Sequence, residues 1–165
     1  MSQEIKMVDG EADSGNRYLN FSLGTEEYAI PLLSVKEVIA VPEITPIPHT
    51  PTHFLGIMNL RGQVISVIDL RQKLNIKPKS THETAIIICD INSICLGVVV
   101  DAINAVASPT EAELSDKPEI HSTRNTDYIT GVYRRDKQLV LLLNIAKTLN
   151  VEDQRAIGSA TSRAA

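Results

Sequence analysis

The 165-residue chain has no tryptophan, and only 4% of its residues are aromatic. Its core must then be assembled from Ile, Val and Leu, and the β-branched pair favours strands. Cysteine is scarce: Cys89 and Cys95 are the only two. Two thiols exclude a disulfide scaffold, and both lie in apolar, strand-like runs where a cysteine acts as a small core residue. Positive charge is not in excess. The net charge of −4 lacks the electrostatic footprint of a nucleic-acid binder. No run approaches the ~20 apolar residues that span a bilayer, so direct membrane insertion is not expected. The N-terminus, Met1 to Gly10, lacks the basic start and apolar block of a secretion signal, and a cytoplasmic protein is expected.

Catalytic vocabulary is missing as well. The sequence has no Walker A loop, dinucleotide fingerprint, nucleophile elbow or kinase signature. His49 and His53 have the i, i+4 spacing of a helical metal site, but Pro48 and Pro51 forbid a helix there. His82 and His121 fall in polar loops, and Glu26-Glu27 reads as a charged turn. The expectation is a protein with no metal, no cofactor and no catalysis of its own.

What is present is a series of short apolar runs broken by Gly, Pro, Asn and Asp. Residues 1–17 are polar and read as a disordered tail. Tyr18 to Leu23 alternates as a half-buried strand, turns at Gly24-Thr25, and returns along Tyr28 to Ile30. After Pro31, the residues Leu32, Val35 and Ile39 predict a short amphipathic helix flanked by Glu37 and Val38. Four prolines between Pro42 and Pro51 hold the next stretch extended. Strands are predicted at Thr84 to Ile91 and Ile94 to Asp101, turning at Asn92-Ser93, and Ala102 to Ala107 continues as strand or bend. Ser108 to Glu113 is a capped turn, and Asp116 to Thr126 a loop. A last hairpin runs from Tyr128 to Leu143. Asn144 caps a helix to about Ala156, and residues 158–165 read as a frayed tail. Many short strands with turn signals indicate a mainly β barrel or sandwich; no internal repeat stands out.

The centre of the chain is Gly56-Ile57-Met58-Asn59-Leu60-Arg61-Gly62, followed by an apolar run to Asp69-Leu70-Arg71. Gly62 permits a tight reversal between two Val- and Ile-rich strands. Asp69 is placed to cap a helical turn, Leu70 to Leu74. Arg61 is a permanent cation on an apolar hairpin, and Glu37 is the acidic partner expected for it.

This stretch resembles the signature of the CheW family of bacterial chemotaxis coupling proteins, with Gly56, Asn59, Leu60, Arg61, Gly62, Asp69, Leu70 and Arg71 at its fixed positions. The resemblance extends from about Tyr18 to about Ile157 and includes Tyr18 to Gly24, Glu26 to Ile30, Gly97 to Asp101 and Tyr128 to Gly131. It implies residues 18–157 as one CheW-like domain of two packed five-stranded SH3-like barrels around a shared core. It also implies a scaffold that links the cytoplasmic tips of chemoreceptors to the regulatory domain of the histidine kinase CheA, beside other array scaffold subunits at membrane-associated arrays. Val35, Glu37, Val38, Arg61, Ile103 and Val106 fall on family positions linked to receptor binding. Their expected arrangement is a groove between the barrels, with Arg61 and Glu37 at its charged centre and an apolar floor. Glu119 and Ile120, in the Pro118-Glu119-Ile120 loop, fall on the kinase contact. The readings that compete are a CheV-type coupling domain, whose receiver domain has no room before Ala165, the regulatory portion of a CheA-type kinase, and a small β-barrel enzyme.

Overall fold

Four two-residue reversals set the architecture. Strand β1 (Tyr18–Leu23) turns at Gly24-Thr25 into β2 (Glu26–Pro31). β4 (Phe54–Leu60) turns at Arg61-Gly62 into β5 (Gln63–Asp69). β6 (Ala85–Ile91) turns at Asn92-Ser93 into β7 (Ile94–Val100), and β10 (Ile129–Arg135) turns at Asp136-Lys137 into β11 (Gln138–Leu143). Arg61 and Gly62 have φ of 52° and 84°, and Asn92 and Ser93 have 50° and 68°. Successive left-handed residues match the right-handed twist of the flanking strands. The remaining strands are β3 (Val35–Ala40), β8 (Ala102–Ala107) and β9 (Leu114–Asp116). Among the described residues three α-helices complete the fold: α1 (Leu70–Lys73), α2 (Ile145–Thr148) and α3 (Val151–Arg163). The computed structural model describes residues 17–78, 83–116 and 127–163.

The strands form two mixed sheets. One has the order β8-β1-β2-β11-β10-β9, the other β3-β6-β7-β5-β4. Each contains a single parallel pair, β2 with β11 and β7 with β5. The second sheet uses one continuous stretch of chain, whereas the first joins the N-terminal hairpin to the C-terminal strands. Between the sheets lies a shared core of Leu19, Phe21, Leu23 and Ile30 against Phe54, Ile68, Ile87, Leu96, Val98 and Val100, closed by Leu143, Ile145 and Ile157. Met58, Ile65, Val67, Ile86, Ile88 and Val99 form a separate core on the other face of the second sheet. The central strands β6 and β7 therefore carry apolar residues on both faces, which is why neither alternates cleanly in sequence.

The β4–β5 and β10–β11 hairpins repeat each other at a constant sequence offset. Gly56 corresponds to Gly131, Gln63 to Gln138, Asp69 to Asn144 and Leu70 to Ile145. The geometry repeats too. Both hairpins carry a bulge just before the glycine, between Phe54 and Gly56 and between Ile129 and Gly131. Asp69 N–H donates to His53 C=O at 2.7 Å, and Asn144 N–H to Tyr128 C=O at 2.8 Å. A Cβ on Gly56 would sit 2.0 Å from the Thr45 carbonyl oxygen, and one on Gly131 3.0 Å from that of Ser115.

Several sequence expectations change. Leu32–Ser34 is a single 3-10 turn, and Val35 to Ala40 is strand rather than helix. A bulge between Val35 and Glu37, against β6, returns Val35 and Val38 to one face, and that spacing of three imitates a helix. The expected C-terminal helix is two helices. Leu149 is extended (φ −88°, ψ 128°), and Asn150 then starts α3 by a reciprocal cap with Asp153 (2.9 and 3.0 Å). α3 continues to Arg163, through most of the expected frayed tail. Leu114–Asp116 adds a sixth strand to the first sheet where turn and loop were expected. Glu27 is a buried strand residue, not part of a turn; it accepts from Asn104 (3.1 Å) and Arg135 (3.3 Å).

Candidate functional site

Most signature positions are spent on folding. Gly56 has φ +141° and passes under Thr45, whose amide and carbonyl bridge to Ile57. Asn59 Oδ1 accepts from Gly62 N–H at 2.9 Å and fixes the β4–β5 turn. Leu60 packs against the second core, and Gly62 supplies the second left-handed residue. Asp69 is the N-cap of α1, accepting from Arg71 N–H at 3.0 Å as expected for a capping carboxylate.

Arg71 does more than the sequence suggested. Its guanidinium donates twice to Asp69, at 2.9 and 2.9 Å, and once to Asp101 at 2.9 Å. Asp101 in turn accepts from Gly24 N–H at 2.6 Å. The side chains of Arg71, Asp69 and Asp101 are 13%, 4% and 3% exposed. Hydrogen bonding to Asp69, ahead of Asp101, raises the guanidinium pKa despite the opposing effect of burial, so this cation is permanent. The network ties α1 and the start of β8 to the β1–β2 turn, locking one sheet to the other. Sequence reasoning missed it. The available signal was that Gly24, Arg71 and Asp101 each end one of the matched family segments.

Arg61 is exposed, as are Asn59 and Gly62, and it alone of the three carries a charge. Its side chain is 72% exposed, and a non-glycine residue at φ 52° costs about 1 kcal/mol. Its guanidinium grips Glu37 in a bidentate pair at 2.8 and 2.9 Å, as anticipated from sequence. Glu37 stands on β3 and Arg61 on the β4–β5 turn, and β3 and β4 are opposite edges of the second sheet. The pair therefore bridges the two edges of a strongly curled sheet. Solvent access limits its folding contribution to under about 1 kcal/mol.

The apolar candidates lie partly elsewhere. Val35 is 9% exposed and belongs to the shared core, where Val38 and Ile103 also pack. Ile39 packs instead into the second core, so alternation along β3 puts Glu37 on the face opposite Val38. The structure thus joins Arg61 to Glu37, and joins Val35, Val38 and Ile103 through one core, but puts charge and apolar floor on opposite faces of β3. Val106, 41% exposed, lies on β8, an edge strand of the first sheet. Glu119, Ile120 and His121, which follow β9 and precede β10 in sequence, lie outside the described residues, and so does His82, which precedes β6.

One further polar cluster has the residue types of a catalytic site. Asp153, 1% exposed, bonds His53 Nε2 and accepts from Lys73 Nζ at 2.6 Å and Asn150 N–H at 3.0 Å. Burial pushes the Asp153 carboxyl pKa up, but Lys73, Asn150 and His53 outweigh it and hold it below the ordinary value. The His53 and Lys73 bonds fasten α3 to the β4 and α1 regions, so the arrangement serves helix docking. Among the described residues no group of three metal-ligating side chains converges, and no helix is long and apolar enough to cross a membrane.

Comparison with known proteins gives these features a common context. A family model described as "CheW-like domain" matches residues 17–153. The chain is 34% identical over 144 residues to the chemotaxis protein CheW of Klebsiella aerogenes, covering 87% of each chain. It is 30% identical over 162 residues to the chemotaxis protein CheW of Helicobacter pylori, covering 90% of this chain and 98% of that one. The crystal structure of the scaffolding protein TtCheW from Thermoanaerobacter tengcongensis superposes with a TM-score of 0.76 at 30% identity, covering 84% of this chain and 94% of that one. With its signature glycines, inter-sheet lock and exposed Arg61 in place across that span, the chain belongs to the CheW family.

Proposed function

We propose that the protein is a chemotaxis scaffold that couples chemoreceptors to the histidine kinase CheA and has no catalysis of its own. The observation that carries this is Arg61. It is an exposed signature residue with a permanent charge, held by a bidentate Glu37 on a backbone position that a smaller residue would occupy at lower cost. A fold has no need to place a rigid guanidinium fork there, whereas a partner that reads charge does. Edge strand β3 then offers two surfaces to a receptor tip. Glu37 and Arg61 form the polar surface. The apolar surface comprises the margins of Val35 and Val38, with Ile103 and the exposed Val106 on β8. An amphipathic receptor helix engages such a site through its apolar stripe and one charged register. The kinase contact is assigned to the Glu119-Ile120 segment, with Ile120 as its apolar anchor.

The test is a pull-down of the full chain with a soluble receptor cytoplasmic fragment and, separately, with CheA. Wild-type protein should capture both. Glu37→Lys should lose the receptor fragment and keep the kinase, and Ile120→Ser should do the reverse. Full receptor capture by Glu37→Lys would overturn the assignment.

A further inference from the structure

The repeat extends to the strands beside the two equivalent hairpins. β6 and β7 correspond to β1 and β2, because each hairpin reverses over two residues and its second strand runs parallel to β5 or β11. β3 and β8 are then equivalent edge strands, and each carries a bulge against its neighbour. The unpaired residues of the two bulges are Lys36 and Asn104. Cys95 pairs with Asp90 across its hairpin as Glu27 pairs with Ser22. Lys36, Asp90 and Cys95 therefore occupy the places of Asn104, Ser22 and Glu27.

In the first sheet the bulge residue serves an anion. Asn104 Nδ2 donates to Ser22 Oγ at 2.9 Å and to the Glu27 carboxylate at 3.1 Å. In the second sheet the same contact is made by a cation and a thiol. Lys36 Nζ donates to Cys95 Sγ at 3.1 Å and stands 4.0 Å from the Asp90 carboxylate. Hydrogen bonding to Cys95 raises the Lys36 pKa above its ordinary value, so an ammonium stays beside the sulfur. Cys95 is half-buried and the Lys36 side chain is 50% exposed, which leaves the pair open to a small solute. Otherwise Cys95 packs against the apolar second core. Cys89 is its internal control: it is fully buried, has no cation, and its hydrogen bond goes to the Ile87 carbonyl.

We propose that Cys95 is a site of oxidation by hydrogen peroxide, with Lys36 holding first the reacting thiolate and then the oxygen that sulfur gains. A cation beside a partly exposed cysteine favours the nucleophilic thiolate. The thiolate attacks one peroxide oxygen, so an S–O bond forms as the O–O bond breaks. Sulfur gives up two electrons, and the departing hydroxide leaves as water with the proton that the thiol released. The product is cysteine sulfenic acid, which thiols reduce back. Its oxygen lengthens the side chain by one atom toward that of Glu27, and Lys36 can donate to it as Asn104 donates to Glu27. The site is distinct from the Arg61–Glu37 pair and does not depend on which partner that pair reads.

The experiment treats the full reduced chain with hydrogen peroxide. Loss of each free thiol is followed over time by mass spectrometry, and dimedone traps the sulfenic acid. The adduct should form at Cys95 and not at Cys89. Lys36→Met keeps the stem and removes the cation. It should slow Cys95 oxidation about threefold or more, the loss expected when a thiolate gives up a charge-assisted hydrogen bond but gains nucleophilicity. Lys36→Arg should restore most of the rate. Asp90→Asn removes the carboxylate that competes for Lys36 and should speed the reaction. Absence of a Cys95 adduct, equal rates at the two cysteines, or a wild-type rate in Lys36→Met would each overturn the proposal. If Lys36→Met does not fold, Asp90→Asn decides the matter, and a rate no higher than that of wild type overturns it.

Discussion

Arg71→Ala is the sharpest perturbation of the fold. It removes the guanidinium from between Asp69 and Asp101, whose side chains are only 4% and 3% exposed. Two carboxylates stay behind in the interior without their cation, although Gly24 N–H and Arg71 N–H still donate to them. Removing one partner of a buried ion pair costs about 3–5 kcal/mol. Such a loss is a large part of the about 5–15 kcal/mol that holds a typical domain folded. The same change at Arg61, whose side chain is 72% exposed, should cost under about 1 kcal/mol. Urea unfolding of the two variants beside wild type measures both, provided the slope with denaturant is unchanged. Arg71→Ala combined with Asp101→Asn should lose less than the sum of the separate losses, because both remove the same contact. An Arg71→Ala midpoint as close to wild type as that of Arg61→Ala would refute the inter-sheet lock.

Three further outcomes are expected. Gly56→Ala should prevent cooperative folding, read by loss of the sigmoidal melting transition, since its Cβ would meet the Thr45 carbonyl at 2.0 Å on a backbone at φ +141°. Asp153, with its pKa depressed below 3.8, contributes stability that is complete above that pH and is lost as pH falls through the lowered value. Acid unfolding of Asp153→Asn should therefore be flatter below pH 3.8 than that of wild type. In thiol labelling of the native protein, Cys95 should react and Cys89 should not, because burial pushes the Cys89 thiol up to about 12; equal rates would contradict that burial.

Turns were the most legible part of the fold. The reversals at Gly24, Gly62 and Asn92-Ser93 are written in residues that accept left-handed backbone, and the strands between them follow. The Asp69 cap and the Arg61–Glu37 pair were also legible, because a carboxylate before an apolar turn and a cation on an apolar hairpin each demand a partner. The Val35 to Ala40 strand was not, since a one-residue bulge gives it a helical spacing that only pairing with β6 can expose. Nor was the repeat. Few of its equivalent residues are identical, and the first sheet takes two of its strands from the start of the chain, so the repeat is permuted rather than tandem. The Arg71 network was hidden for a similar reason. Gly24 and Asp101 are distant in sequence from the Asp69–Arg71 pair, and no local pattern marks Asp101 as a buried partner instead of a loop acid.

The central claim is that Arg61 and Glu37 act as one unit in recognising the receptor. The direct measurement is a double-mutant cycle on receptor-fragment binding with Arg61→Ala, Glu37→Ala and the double variant, each first shown to melt as wild type does. Each single change should weaken binding, and the double variant should lose less than the sum of the two. Strict additivity of the two losses, or wild-type affinity in either single variant, would contradict the account.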